Sequence, residues 1–299
     1  MKSLIAIITA LIALYIPIRA ATSEYIQPYK IIQVVAAENF YGELVRALGG
    51  PYVSVTSILS NPNQDPHLFE PSAKAARARA SAQLVVYNGA NYNAWLPKLL
   101  TSSHTNCHPR TEIVAAELVG KKPGDNPHLW YLPTTMLAMA RAISGFLIQA
   151  DPVHKADYVI RLTQFIDSLK PINEKISVLK QYYQGTPVTA TEPVFTYMAE
   201  AIGLEMRNKR FQMSTMNETE PSAADVASFE RDLRMRKVKV LIYNSQASDT
   251  STQQMLKIAH QLHVPTVRVT ETEPDGKTYQ QWMLEQLNAL EKALRGQVK

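Results

Sequence analysis

Residues 31–50 read IIQVVAAENFYGELVRALGG, and this stretch decides the class of fold. The run at 31–37 is short, apolar and rich in β-branched side chains. From 40 to 48 the apolar residues recur with helical spacing and run into Gly49-Gly50. That is the pattern of a strand, a helix and a stop. Moving outward, a second strand is expected at 53–59, an Ala/Arg-rich helix at 72–82, a strand at 84–87 closing on Asn88-Gly89, and a further short strand at 111–116. Strands separated by helices imply a largely parallel sheet with both faces covered.

From 133 to 183 the pattern is almost unbroken helix. One helix covers 134–150. Asp151-Pro152 then reads as a cap followed by proline at the first helical position. The next helix runs from Pro152 towards Tyr183, roughly 45 Å at ~1.5 Å per residue, with Pro171 expected to kink it. After Gly185 the alternation resumes: strand 186–191, helices 195–202 and 223–236, strand 238–243, helix 252–262, strand 266–270 and a last helix at 279–294. The expectation is an α/β protein of two lobes, each with a mainly parallel sheet flanked by helices, joined by a long rigid helix. The boundaries are 21–151 for the N-terminal lobe, 152–183 for the link and 184–299 for the C-terminal lobe. A chain of 299 residues agrees with this, because compact domains usually hold ~100–200. So stiff a link favours small tilting of the lobes over wide hinge opening.

The first twenty residues form a secretory signal peptide: Lys2, an apolar run from 4 to 18, then Arg19-Ala20-Ala21. The run is shorter than the ~20 apolar residues that span a bilayer. The single cysteine, Cys107, cannot make an internal disulfide, and it lies far from the cleavage point. The expected product is a periplasmic protein without a lipid anchor, likewise expected to be a monomer. A net charge of +5 arises from scattered Lys and Arg, two of them in the leader. No basic stripe results, which excludes nucleic acid as an expected partner.

Four side chains suited to a divalent cation fall just after strands or in the loops beyond them. His67 lies in DPHLFEP (65–71) and His128 in NPHLW (126–130), while Glu192 ends TPVTATE and Glu271 ends TVRVTE. In parallel sheets ligands collect beyond the carboxyl ends of the strands, so two facing lobes could gather all four in one cleft. Each histidine follows a proline, whose steric limits stiffen the loop that presents the ring. His104, Cys107 and His108 in SSHTNCHPR are further donors, suited to zinc or copper. No fourth ligand accompanies them, and they read as an exposed variable loop. His154, His260 and His263 lie on expected helices or their ends and read as ordinary.

These motifs, with VVYNGANYNAWL (85–96), TEPVFTYMAEAIGL (191–204) and TYQQWMLEQLNALEKAL (278–294), give the chain a resemblance to a known family. It resembles the metal-binding solute-binding proteins of manganese/zinc/iron ABC transporters, a group that includes streptococcal lipoproteins first described as adhesins. The resemblance runs through essentially the whole mature chain. It implies His67 and His128 as the first two ligands. It also implies Glu192 at a third position that is His or Glu among members, and Glu271 at a fourth that is normally Asp, with Glu273 and Asp275 as alternatives. The implied partner is the membrane permease of an ABC importer.

The chain departs from the family pattern in three places. Leu132 precedes Pro133 where an aspartate is usual, leaving Thr134 as the substitute helix cap. Gln83 stands where an aspartate commonly precedes the LVVYNG strand. The long His/Asp/Glu-rich loop of many zinc importers is absent between His67 and His128.

Two imidazoles and two carboxylates make a mixed N/O site for Mn²⁺ or Zn²⁺, with Fe²⁺ also compatible. Carboxylates that bind through both oxygens raise the coordination number. Together with Glu192 and the missing His-rich loop, this favours manganese over zinc. A secreted metal-dependent hydrolase is the enzyme alternative, but it would keep an open metal position beside a general base. No HExxH pair occurs, and all four donors are used in closing the site. An adhesin-type interaction protein is the other alternative, and nothing in the sequence encodes a receptor site.

Overall fold

The computed structural model describes residues 31–61, 69, 72–96, 111–247 and 249–296. Residues 1–30, with the expected signal peptide, His67 and the His104/Cys107/His108 segment lie outside the described residues. Two four-stranded parallel sheets form. The first contains β1 (Ile32–Glu38), β2 (Val53–Leu59), β3 (Leu84–Tyr87) and β4 (Thr111–Val114) in the order β2-β1-β3-β4. The second contains β5 (Pro187–Ala190), β6 (Glu205–Arg207), β7 (Leu241–Asn244) and β8 (Thr266–Val269) in the order β6-β5-β7-β8. The two orders are the same, although the two sequences show no convincing repeat. In each sheet the strand order reverses beside the first strand, between β1 and β3 and between β5 and β7. That reversal leaves a crevice at the carboxyl ends where a ligand can enter.

Local chemistry explains most elements. β1 is buried along nearly its whole length, as a central parallel strand covered on both faces must be. It passes directly into α1 (Asn39–Gly49). Helix α2 (Ala73–Ser81) precedes β3, and the short α3 (Ala115–Leu118) follows β4, so the strand expected to reach 116 stops at Val114. Helix α4 (Thr135–Ala150) follows, but Thr134 makes no side-chain capping bond and is not the expected substitute cap.

The link is a 3₁₀ turn, Pro152–His154, followed by α5 (Lys155–Ser168) and α6 (Lys170–Tyr183). The interruption at Leu169 falls just before Pro171, whose missing N–H removes a helical hydrogen bond. The Asp151 Oδ2 lies 2.6 Å from His154 Nδ1 and accepts from the Tyr158 hydroxyl at 2.7 Å.

In the second half α7 (Thr196–Ile202) follows a 3₁₀ turn at Pro193–Phe195. Then come α8 (Lys209–Met216), α9 (Ala223–Arg234), α10 (Thr250–Gln261) and α11 (Tyr279–Arg295). Ser222, Asp249 and Thr278 cap the last three through their side chains, each satisfying an otherwise unpaired N–H. Strand β6 and helix α8 were not expected, because EMRNKRFQMSTM carries no clear apolar period. They are held by tertiary contacts, including an ion pair of Arg207 with Asp232 at 2.9 Å.

One hydrophobic core runs through both halves. Leu129, Trp130 and Tyr131, in a 3₁₀ turn between α3 and α4, are fully buried. Trp130 packs on Phe40 of α1, and Tyr131 packs on Phe195 and Trp282 from the second half. Two buried hydrogen bonds cross the same seam. Tyr131 donates to the Thr270 carbonyl at 2.8 Å, and Tyr279 donates to the Trp130 carbonyl at 2.7 Å.

Gly42 faces β2 so closely that a Cβ there would overlap Ser57 Oγ. Gly42→Ala is therefore expected to lower the denaturant midpoint, since overpacking costs ~1–3 kcal/mol and alanine recovers at most ~1 kcal/mol within a helix. Adding Ser57→Ala should recover most of the loss. An unchanged or raised midpoint for Gly42→Ala alone would contradict the close packing.

Candidate functional site

The carboxyl ends of the two sheets meet at a buried polar cluster. From the first half comes His128, 1% exposed, and from the second come Glu192 at 6% and Glu271 at 0%. His128 directly precedes the aromatic seam, so burial of Trp130 and Tyr131 fixes where its ring stands. Glu192 follows β5 and Glu271 follows β8. His128 Nε2 lies 3.6 Å from Glu271 Oε2. Three of the four ligand candidates from the sequence are thus described, and His67 lies outside the described residues.

Hydrogen bonds orient each group. Asn126 Oδ1 lies 2.6 Å from His128 Nδ1 and also accepts from the His128 N–H at 3.1 Å. With an oxygen acceptor at Nδ1, that nitrogen carries the proton and Nε2 presents a lone pair. Nε2 is buried and has no hydrogen-bond partner among the described residues, a costly state for a polar atom unless something else binds it. Asn126 is itself pinned to the second half: its Nδ2 donates to the Pro193 carbonyl at 2.8 Å, and its carbonyl accepts from Tyr197 at 2.8 Å.

Glu271 is held from several sides. Tyr92 donates to its Oε2 at 3.0 Å, Asn244 Nδ2 donates to its Oε1 at 2.7 Å, and its backbone N–H donates to Gln246 Oε1 at 2.6 Å. Asn244 Nδ2 also donates to Glu192 Oε2 at 2.6 Å. Glu273 and Asp275 are the alternatives to Glu271. Asp275 is exposed. The backbone of Glu273 is bound on both sides by the Asn39 side chain at 2.7 and 3.1 Å. Burial, reinforced by the neighbouring Glu43 carboxylate, pushes the Glu273 carboxyl up to about 8.

Sequence reasoning did not single out Asn244, Tyr92, Asn126 or Glu38. Asn244 was findable in principle, since it follows VKVLIY as Glu192 and Glu271 follow their strands. An amide is not a typical ligand, however, so it drew no notice. Tyr92 is delivered by a tight turn in which Gly89, Ala90 and Asn91 all have positive φ, between 52° and 77°. For Ala90 that left-handed conformation is strained, and strain of this kind is retained where surrounding contacts over-determine it. The turn is anchored by Asn93, whose Nδ2 donates to Glu38 Oε1 at 2.6 Å and whose Oδ1 accepts from the Gly89 N–H at 3.2 Å.

Glu38 is fully buried at the end of β1, and burial pushes its carboxyl up to about 8 despite the hydrogen bond from Asn93. At neutral pH the native state therefore keeps this proton, while the unfolded chain has lost it. The stability contributed by the neutral acid is complete below 4.5 and is lost as pH rises to about 8. Glu38→Gln keeps an acceptor for Asn93 and cannot ionise. The variant should gain stability relative to the wild type across that window, by up to about 1.4 kcal/mol per pH unit, and no further above it. Parallel pH profiles of the two proteins in denaturant melts would refute a neutral Glu38.

The metal ABC transporter substrate-binding lipoprotein SsaB of Streptococcus sanguinis is 22% identical over 285 residues, covering 88% of this chain and 89% of that protein. The manganese ABC transporter substrate-binding lipoprotein scaA of Streptococcus gordonii is 23% identical over the same shares. Among solved structures, the periplasmic zinc-binding protein TroA from Treponema pallidum matches with a TM-score of 0.72 at 16% identity, over 89% of this chain and 99% of that one. A manganese-bound periplasmic metal-binding protein from Candidatus Liberibacter asiaticus matches at 0.67 and 18%, over 87% and 98%. These structures share the fold, two parallel sheets flanked by helices. Residues 34–293 match the profile of the zinc-uptake complex component A, periplasmic. With nearly every element from β1 to α11 inside that match, the chain belongs to the ZnuA family.

Proposed function

We propose that this protein is the extracytoplasmic binding component of an ABC importer for a divalent transition metal, Mn²⁺ or Zn²⁺, held by His67, His128, Glu192 and Glu271. The observation that carries the reading is His128 Nε2. It is a buried lone pair without a hydrogen-bond partner among the described residues, aimed beside a buried carboxylate. A cation between them would satisfy the imidazole and lie against the carboxylate. The charge balance also supports capture. Two carboxylates offset the charge of a dication. Residues 1–20 act as the export signal, 21–151 and 184–299 as the two lobes, and 152–183 as the link between them.

In this reading the protein binds rather than catalyses. The loaded form docks on a membrane permease driven by a cytoplasmic ATPase and surrenders the ion there. Proton binding opposes capture, because imidazole and carboxylate coordinate only when deprotonated. Chelator-stripped protein should bind Zn²⁺ or Mn²⁺ in a calorimetric titration and unfold at a higher temperature with the ion present, by ligand linkage. His128→Ala, Glu271→Gln and the pair His67→Ala with Glu192→Gln are each expected to weaken binding by about 100-fold or more, equivalent to losing at least ~2.7 kcal/mol. Binding that survives all of these would defeat the assignment.

A further inference from the structure

Asn244 ends β7 with its side chain buried, 3% exposed, between Glu192 and Glu271. A single nitrogen, Nδ2, donates to Glu192 Oε2 at 2.6 Å and to Glu271 Oε1 at 2.7 Å. The amide cannot be turned over without loss. Its Oδ1 accepts from the Gln246 N–H at 3.0 Å, and a flipped group would set a carbonyl against two carboxylates and an NH₂ against an N–H. The Asn244 N–H in turn donates to Thr191 Oγ1 at 3.3 Å, tying the strand end to the residue before Glu192. A neutral side chain thus holds two carboxyl groups side by side, each through one named oxygen.

We propose that Asn244 determines metal specificity: by holding one oxygen of each carboxylate, it confines Glu192 and Glu271 to one metal bond apiece and tilts the site towards Zn²⁺ over Mn²⁺. The inference rests on Glu192 and Glu271 being ligands. Hydrogen bonds to a carboxylate oxygen are charge-assisted and strong, and they direct that oxygen at the amide. Glu271 Oε2, which accepts from Tyr92 at 3.0 Å and is not held by Asn244, is the one near His128 Nε2. Two carboxylates that chelate supply four oxygens and suit the larger, oxygen-rich shell of Mn²⁺. Two that bind through one oxygen each supply two and suit the four-coordinate shell of Zn²⁺. The direction is opposite to the one that Glu192 suggests from sequence.

The test uses the full mature chain stripped with chelator and titrated separately with Zn²⁺ and Mn²⁺, as wild type, Asn244→Ala and Asn244→Ser. Both variants should lower the ratio of the Mn²⁺ to the Zn²⁺ dissociation constant by about tenfold or more, a shift of ~1.4 kcal/mol in relative affinity. Visible spectra of the Co²⁺ form add a readout that needs no variant. The wild type should show the intense bands of a four-coordinate ion. Weak bands of a six-coordinate ion in the wild type would overturn the proposal. So would variants that weaken both ions equally and leave the ratio unchanged, which is what a purely structural role gives. If Glu192→Gln and Glu271→Gln leave wild-type affinity intact, the ligand assignment itself is wrong, a result separable from an unchanged ratio.

Discussion

The contact on which the rest depends is the aromatic seam formed by Trp130 and Tyr131. Two parallel sheets in one chain present crevices at their carboxyl ends, but nothing in either sheet makes the crevices face each other. The seam does so by burying Trp130 against Phe40 and Tyr131 against Phe195 and Trp282. Aromatic side chains give large apolar burial, and each such pair adds ~0.5–1.5 kcal/mol from its geometry. The polar ends of Tyr131 and Tyr279 are satisfied by carbonyls across the seam, so the orientation is fixed as well as the distance. His128 is joined to this seam by one intervening residue. Its ring position follows from core packing and not from a flexible loop.

Around the seam, polar groups are arranged in pairs that reach from one half to the other. Tyr92 reaches Glu271, Asn126 reaches Pro193, and Asn39 binds the backbone of Glu273. Each bond crosses between the halves at the mouth of the crevice. A side chain that must be ordered on binding loses affinity to entropy, so groups already fixed by folding lose less. The strained turn at 89–91 fits the same account, because its cost is met by folding before any ion arrives.

The fold was largely legible from 31–50 and its continuation, because parallel strands buried on both faces and helices with one apolar side leave distinct periods in sequence. The helix start at Ser222 was legible for a local reason, a side chain reaching an N–H within three residues, whereas the helix expected from 252 begins at Thr250, capped by Asp249. Strand β6 and helix α8 were not, since the residues that stabilise them, such as Asp232, lie far along the chain. The kink near Pro171 was readable from proline chemistry alone. Thr134 was misread as a cap, because whether a hydroxyl reaches a backbone N–H depends on a conformation the sequence does not print.

The sequence by itself offered the chemical types of the candidate site: histidines behind prolines and glutamates directly after strands. It also determined the doubled α/β pattern that puts such residues at strand ends. Only the tertiary structure decided which carboxylate faces His128, because Glu271 and Glu273 are two residues apart and equally acidic in composition. It also decided that a neutral asparagine from a different strand lies between Glu192 and Glu271. The placing of Asn244 depends on distances between residues that are 27 and 52 positions apart in the chain, and the facing of His128 and Glu271 on residues still farther apart. Periodicity reports which face a residue takes, and carries no information on which distant residue it will meet.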